Sequence, residues 1–262
     1  MVAMIDDNLL VSRLQSLAGM KNPVRLILFT RDIGCETCPE MVELGKAIKA
    51  RSPKIALEIY DLVMDRDKSE LYAVHDVPAF VVQRGDGRLV RFYGLMESVF
   101  QRVLLDTIMA ASEGRTWFPD DIRRTLSHLE HVVPVQVFVE SDCLQCRPVA
   151  ETAIGLAFES DLVSVDIVVT SGFPKLIQKY AIKTLPKTVF GANIHVDGHV
   201  TETEFLEMIF QAEGLQPGPD RRCLVCGNPS PDMICGSCKN RIQAEAIDHK
   251  RKGERLKQAD TP

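Results

Sequence analysis

The stretch VFVESDCLQCRPVAETAIGLAF (137–158) places two cysteines, Cys143 and Cys146, between an apolar run and a segment with helix-like spacing. The apolar run begins before this stretch as VPVQVFV (133–139), and its Val and Phe residues favour β-strands. A C-x-x-C pair in this position is typical of a redox couple, of half a metal site or of two buried apolar side chains. The choice depends on where else the chain carries such a pair.

A second copy of this arrangement surrounds Cys35 and Cys38. The β-prone run VRLILFT (24–30) precedes that pair, and the helix-like segment PEMVELGKAIKA (39–50) follows it. The first cysteines of the two pairs lie 108 residues apart (143 − 35). Repetition of a cysteine pair together with both of its flanks indicates an internal repeat.

A proline opens a later β-prone run in each repeat, Pro78 in DVPAFVV and Pro186 in LPKTVF. The distance from the first cysteine to the proline is 43 residues in both repeats (78 − 35 and 186 − 143). Each proline is followed by a hairpin pattern whose turn contains Asp-Gly, at 86–87 and at 197–198. The agreement in spacing supports the repeat independently of the cysteines.

Each repeat therefore reads α-β-α-β-α, then proline, then β-β-α. The expected opening helices cover 6–19 and 119–132, the second strands 55–62 and 162–169, and the closing helices 97–111 and 202–212. Strands that alternate with helices and end in a hairpin predict an α/β fold with a mixed sheet covered by helices on both faces. We expect two such units, over 1–115 and 116–214.

The stretch CLVCGNPSPDMICGSC (223–238) follows a linker over 215–222 that is rich in Pro and Gly. Its spacing is C-x2-C-x8-C-x2-C, and four thiolates so spaced suit a tetrahedral zinc ion. The predicted ligands of a structural Zn²⁺ are Cys223, Cys226, Cys235 and Cys238. Two disulfides and an iron–sulfur centre are the alternatives. The pattern resembles small zinc ribbons, and we expect 223–262 to form a four-cysteine zinc ribbon with a basic helical tail.

Charge and composition narrow the functional classes. The chain has 262 residues and a formal net charge of −5, which argues against extensive nucleic-acid binding, and we do not expect the basic tail to bind RNA. No run reaches the roughly 18 apolar residues of a membrane span, and the first residues lack the basic segment of a signal peptide. We therefore expect a cytoplasmic protein without membrane contact. No G-x-G-x-x-G motif is present, so we expect neither flavin nor NAD(P) to bind directly.

The segments GCETCPE, DVPAFVV, VRFYGL, VFVESDCLQCRP and LPKTVF together resemble the protein disulfide oxidoreductases of the glutaredoxin-like, tandem thioredoxin-fold family. The resemblance covers residues 6–213 and implies two thioredoxin-fold units that exchange thiols with disulfides of protein substrates. It also implies a thioredoxin reductase as electron donor. Both prolines would be cis, and the backbone of Val77 and Leu185 would pair with a substrate strand beside Pro78 and Pro186.

The dithiols have distinct expected roles within this resemblance. A helix N-terminus supplies free N–H groups and a positive dipole end, which stabilise a thiolate. We therefore expect Cys35 and Cys143 to be the nucleophiles. Cys38 and Cys146 would then resolve the mixed disulfides. Arg147 adds positive charge beside Cys146, so we expect the second dithiol to dominate.

Two features depart from the family pattern. Glu36 and Asp142 place negative charge beside the expected nucleophiles, which opposes thiolate formation. The buried acid that thioredoxins carry six residues before the nucleophile is replaced by Phe29 and Val137. The direction of electron flow does not follow from the sequence.

Other functions stay open at this point. The units could form a non-catalytic scaffold whose zinc ribbon binds a partner or RNA, or the chain could be a dedicated electron donor to a peroxidase. Burial of both dithiols as apolar packing, or one metal site shared by both pairs, would exclude the enzymatic hypothesis.

Overall fold

The computed structural model describes residues 8–114, 116–214, 222–228, 230 and 232–259, with side chains from residue 11 to residue 248 of these ranges. The predicted linker, 215–222, lies outside the described residues except for Arg222. The predicted unit boundaries stay predictions. Below, the first half denotes 8–114 and the second half 116–214. No helix in the described part of the chain is long and apolar enough to span a membrane.

One mixed sheet of eight strands runs through both halves. The strands are β1 (Val24–Thr30), β2 (Ile55–Asp61), β3 (Ala79–Gln83), β4 (Leu89–Tyr93), β5 (Val133–Val139), β6 (Val163–Val169), β7 (Lys187–Phe190) and β8 (Ile194–Asp197). Their order is β2-β1-β3-β4-β6-β5-β7-β8. Each half has a central strand flanked by one parallel and one antiparallel partner, followed by the hairpin strand. The predicted α/β class and mixed sheet are confirmed.

Helices cover the sheet on both faces. They are α1 (Asn8–Ser16), α2 (Cys38–Lys49), α3 (Arg66–Leu71), α4 (Ser98–Glu113), α5 (Asp120–Leu126), α6 (Cys146–Glu159), α7 (Pro174–Lys179), α8 (Glu202–Ala212) and α9 (Gly236–Ala259). One face carries a large apolar core that includes side chains of α1, α2, α4, α5, α6, α8 and α9. The other face carries a smaller core around Phe29 and Phe138, with side chains from α7 and from the residues after α3.

The opening helix of the second half is shorter than predicted. The prediction extended it over 119–132, whereas α5 ends at Leu126. Beyond that residue the N–H groups of His128 and Leu129 bond three residues back, which tightens and ends the helix. The next two N–H groups, at 130 and 131, donate to the Glu213 carboxylate at 2.5 and 2.6 Å. These two N–H groups are therefore hydrogen-bonded without the carbonyl oxygens that a longer helix would supply, and the helix can end earlier than predicted.

Strands β4 and β6 pair in parallel and join the halves. Their register runs from Val90 opposite Val165 to Tyr93 opposite Val168. The buried Arg91 crosses this seam and donates to Asp166 at 2.5 Å and to Ser164 at 2.6 Å. Because β1 and β4 run parallel to β5 and β6, the carboxyl ends of all four strands lie at the same edge of the sheet.

Gly94 occupies a tight point of the seam. Its φ of 98° lies in the left-handed region, which favours glycine. A Cβ at this position would lie 3.1 Å from both the Cβ and the carbonyl oxygen of Val169 and 3.4 Å from the Phe173 ring. The close approach lets β4 end against the turn that follows β6.

Replacement of Gly94 by alanine should destabilise the protein more than replacement of Gly87. Gly87 has a similar φ of 95° in the β3–β4 hairpin, but no atom lies within 4 Å of its would-be Cβ. Both substitutions carry the cost of a left-handed alanine, and only Gly94→Ala adds overpacking, which costs about 1–3 kcal/mol. Urea unfolding of the two variants measures this difference. Equal free energies of unfolding would contradict the close approach at the seam.

Candidate functional site

The first dithiol lies at the amino end of α2. Cys35 and Cys38 form a disulfide, with Cys38 as the first residue of the helix. Pro39 follows in the first turn, where the missing N–H costs nothing and the fixed φ suits a helix. Cys38 is buried, whereas Cys35 is half-buried in the loop that follows β1. The helix therefore starts one residue earlier than predicted, and its first residue is the second cysteine.

The second dithiol repeats this geometry at the amino end of α6. Cys143 and Cys146 form a disulfide, and Cys146 is again the first residue of its helix. Cys146 is fully buried, and Cys143 is half-buried. In both dithiols the first cysteine is the more accessible one, so complete burial of the pairs is excluded.

The two dithiols do not meet. Each sulfur is bonded within its own pair, and β3, β4 and β6 lie between β1 and β5. Four strand spacings separate the two loops, which amounts to about 19 Å. A single metal site shared by both pairs is therefore excluded, although both dithiols face the same edge of the sheet.

A cis proline precedes a neighbouring strand of each dithiol loop. The peptide bonds Val77–Pro78 and Leu185–Pro186 are both cis, in agreement with the expectation from the resemblance. Gln145, between the second pair of cysteines, places its side-chain nitrogen 3.4 Å from the Leu185 carbonyl oxygen. The structure thus brings the residues predicted to bind a substrate strand next to the second dithiol.

An open cavity of about 570 Å³ adjoins the second dithiol. Its lining includes Cys143 and Leu185, the acid Glu140 and the base Lys183. A smaller cavity in the first half lies against α3, and its lining does not include Cys35. The second dithiol therefore has room beside it for part of a substrate.

The charge of Arg147 is not available to the dithiol in the way predicted. Its guanidinium pairs with Glu151 at 2.7 Å and with Asp106 of α4 at 3.5 Å. The argument that Arg147 makes the second dithiol the dominant one therefore loses its basis. The cavity beside Cys143 provides a separate reason for the same preference.

Phe29 and Val137 are fully buried, so no acid occupies the positions six residues before the nucleophiles. These two residues are not structural equivalents, because the loop after β1 contains one residue more than the loop after β5. The strand register instead matches Phe29 with Phe138. Glu140 lines the cavity beside the second dithiol together with Asp142, and it accepts a hydrogen bond from the buried Thr170 hydroxyl. Sequence analysis missed Glu140, since nothing in its local pattern distinguishes it from a surface acid.

Asp61, the last residue of β2, holds the turn that leads into α3. The Asp61 carboxylate accepts hydrogen bonds from the N–H groups of Met64 at 2.9 Å and Val63 at 2.8 Å. These bonds, Met64 first, lower the pKa of Asp61. The next residue, Leu62, donates its N–H to the Thr30 carbonyl oxygen at 2.8 Å, which joins the end of β2 to the end of β1 before the loop of the first dithiol.

The four remaining cysteines converge as predicted. The sulfur atoms of Cys223, Cys226, Cys235 and Cys238 all lie within 4.8 Å of one another. Cys226 and Cys235 are 3.7 Å apart. Tetrahedral zinc with Zn–S bonds of about 2.3 Å requires sulfur–sulfur distances of about 3.8 Å. The donor set and its spacing fit a metal ion.

Backbone donors prepare one of these thiols for ionisation. Burial opposes ionisation of Cys223, but hydrogen bonds from the N–H groups of Cys235, Cys226 and Val225 outweigh it and lower its pKa to about 6. Burial and the neighbouring thiols raise the pKa of Cys238. Thiolates ligate metals, so the N–H groups around Cys223 support the first ligand.

The cysteine cluster is packed against the second half. The α9 residue Ile242 is fully buried in the large core, together with Ile234 between the two cysteine pairs. Lys239 forms an ion pair with Glu207 of α8 at 2.5 Å, and Arg241 pairs with Asp121 of α5. The ribbon and its helix are therefore part of the same compact body as the sheet.

Comparison with solved structures finds proteins that share this architecture. The protein disulfide oxidoreductase of Aeropyrum pernix matches with a TM-score of 0.73 and 25% identity, over 81% of this chain and 96% of that one. The alkylhydroperoxide reductase protein AhpF from Enterococcus faecalis matches with a TM-score of 0.69 and 22% identity, over 76% and 98%. Sso1120 from Sulfolobus solfataricus matches with a TM-score of 0.51 and 16% identity, over 72% and 97%.

No protein-family model and no curated protein matches the sequence. The structural neighbours therefore carry the assignment together with the site geometry. The chain has the tandem thioredoxin fold of the protein disulfide oxidoreductases, with a four-cysteine cluster that fits a zinc ribbon on its carboxyl-terminal side.

Proposed function

We propose that the protein is a thiol–disulfide oxidoreductase that acts on disulfides of protein substrates. The observation that carries this proposal is the repeated site geometry. In each half a disulfide closes at the start of a helix, with its first cysteine accessible and its second cysteine buried. Buried structural disulfides need no such asymmetry, whereas thiol–disulfide exchange requires one thiol that a substrate can reach.

The exchange follows from this asymmetry. In the reducing direction the Cys143 thiolate attacks one sulfur of a substrate disulfide, and the other substrate sulfur leaves as a thiolate that takes up a proton. Cys146, once deprotonated, then attacks the Cys143 sulfur of the mixed disulfide, which releases the second substrate sulfur and closes the Cys143–Cys146 disulfide. Two electrons pass from the protein to the substrate. Cys35 and Cys38 would act in the same way.

A partner must restore the dithiols after each reducing cycle. The resemblance to tandem thioredoxin-fold enzymes supports a thioredoxin reductase as that partner. In the oxidising direction the same steps run in reverse, and the substrate thiols supply the electrons. In either direction the substrate strand would lie along the backbone of Val77 and Pro78 or of Leu185 and Pro186, as the resemblance implies.

Cys223, Cys226, Cys235 and Cys238 would hold a structural Zn²⁺, which supplies the cross-link between the two cysteine pairs. The convergence of four sulfurs supports this assignment. The chain's own contacts then keep α9 on the second half, through the ion pair of Lys239 with Glu207 and the buried Ile242. The zinc-bearing region would thus stabilise the enzyme and take no part in the exchange.

Substitution of the second cysteine in each pair should trap substrate. Cys146→Ser removes the thiol that resolves the mixed disulfide, so a covalent adduct with a disulfide substrate should accumulate at Cys143. Cys38→Ser should trap at Cys35 for the same reason. Non-reducing electrophoresis and mass spectrometry of the adduct, with disulfide-bonded insulin as a test substrate, measure the yield.

The matched controls are Cys143→Ser and Cys35→Ser, which should form little adduct because the remaining cysteine is buried. Adducts on Cys146 instead of Cys143 would reverse the assigned roles. A wild-type protein that fails to reduce insulin disulfides with dithiothreitol, and variants that trap nothing, would favour the scaffold function over the enzymatic one.

The second dithiol should carry the larger share of insulin reduction, because the cavity beside Cys143 leaves room for substrate. We expect Cys143→Ser to remove more than half of the initial rate of insulin precipitation and Cys35→Ser to remove less than half. The double variant defines the background. A greater loss in Cys35→Ser would show that the first site is the main one.

Removal of zinc should loosen the carboxyl-terminal helix without abolishing exchange. A chelator or Cys226→Ser should release one zinc per chain and expose the face of α9 around Ile242 to protease. Insulin reduction should persist because the exchange uses other cysteines and because α9 has ion pairs with α5 and α8, away from both dithiols. Cys143→Ser is the control and should retain zinc. Loss of all activity on chelation, or a zinc content of zero in the wild type, would contradict this role.

A further inference from the structure

One segment of the first half, residues 94–100, contacts the elements of both dithiol sites. At the first site, the Gly94 N–H donates to the carbonyl oxygen of the cis residue Pro78 at 2.9 Å. The N–H of the buried Met96 points at the Met41 sulfur of α2 at 3.4 Å, three residues beyond Cys38. We call residues 94–100 the bridging segment.

The same segment binds the loop of the second dithiol through Ser141. The Ser141 hydroxyl donates to the Leu95 carbonyl oxygen at 3.1 Å. The Ser141 carbonyl oxygen accepts hydrogen bonds from the N–H groups of Val99 at 3.0 Å and Phe100 at 3.3 Å. Both donors belong to the first turn of α4, and the Phe100 N–H is shared, since it also donates to the carbonyl oxygen of the residue before α4 at 3.0 Å. Three hydrogen bonds thus hold a residue that lies only two positions before Cys143.

A second contact between the halves supports the same loop from the other side of the cysteine pair. Asp106 of α4 lies 3.5 Å from Arg147, which directly follows Cys146. Asp106 also pairs with Arg13 of α1. The second dithiol is therefore flanked on both sides by residues that contact α4 or the bridging segment.

The first dithiol lacks this arrangement at the corresponding position. Ile33 precedes Cys35 by two residues, as Ser141 precedes Cys143, and its side chain is 85% exposed. The difference follows from the order of the strands. The loop after β5 lies next to the end of β6 and near that of β4, whereas the loop after β1 adjoins β2 and β3.

We propose that Ser141 is a positioning residue, through which the first half sets the redox equilibrium of the Cys143–Cys146 dithiol. This inference rests on the proposed function, since it concerns the same dithiol. The three hydrogen bonds exist together with the closed disulfide. For the redox equilibrium to depend on Ser141, its hydroxyl bond to Leu95 must stabilise the closed disulfide more than the open dithiol, and Ser141→Ala removes that one bond of the three. The disulfide should therefore become easier to reduce when the Ser141 hydroxyl is removed.

Equilibration with glutathione tests this effect in the full-length protein. Reduction of Cys143–Cys146 by two glutathione molecules produces two protein thiols and one glutathione disulfide. Alkylation followed by peptide mass spectrometry reports both dithiols in the same sample. We expect Ser141→Ala to raise the equilibrium constant for reduction of Cys143–Cys146 by about three- to tenfold, the range that corresponds to one hydrogen bond. The constant of Cys35–Cys38 should not change.

Two further variants separate positioning from a general loss of structure. Ser141→Thr keeps the hydroxyl and should restore the wild-type constant. Ile33→Ala is the matched change in the first half and should leave Cys143–Cys146 unaffected. An unchanged constant in Ser141→Ala, or an equal shift of both dithiols, would overturn the proposal. Because the measurement needs no substrate protein, it stands even if the protein fails to reduce insulin.

Discussion

The parallel pairing of β4 with β6 is the constraint on which the rest of the molecule depends. It converts two four-stranded repeats into one sheet, and the ion pair of the buried Arg91 with the half-buried Asp166 spans the seam. An ion pair taken out of water needs good geometry to offset desolvation, and Arg91 has a second partner in Ser164. The pairing also decides which surfaces face each other. It places the end of β4 beside the loops of the second half.

Within each repeat, the start of a helix decides how the two cysteines of a pair differ. The helix begins at the second cysteine, so that residue is buried while the first cysteine stays in the preceding loop. A proline in the first turn supports this start in both halves, Pro39 in α2 and Pro148 in α6. The same short sequence pattern therefore leaves the sulfur of the first cysteine accessible and buries the sulfur of the second.

Much of this was predictable from local sequence. The β1 and β5 boundaries agree with the predicted runs 24–30 and 133–139, because both runs are rich in β-prone apolar residues and end at a charged residue, Arg31 or Glu140. The cysteine spacings predicted both dithiols and the four-sulfur cluster. The continuous sheet was not predictable in this way, since the β4–β6 pairing joins residues 75 positions apart (165 − 90) and no spacing rule connects them. The contacts of Ser141 with Leu95 and of Arg147 with Asp106 are hidden for the same reason. Arg147 pairs locally with Glu151 and, through the packing of the repeats, with Asp106, so the predicted dominance of the second dithiol no longer rests on its charge and stays a prediction.

Both dithiols lie at the same edge of the sheet. Their separation therefore sets how long a substrate polypeptide must be to reach both of them. The loops after β1 and β5 are separated by about 19 Å along that edge. An extended polypeptide advances about 3.3 Å per residue, so about six residues span the gap. Under the proposed function, a single unfolded substrate chain with two cystines would therefore be long enough to reach both dithiols in one encounter.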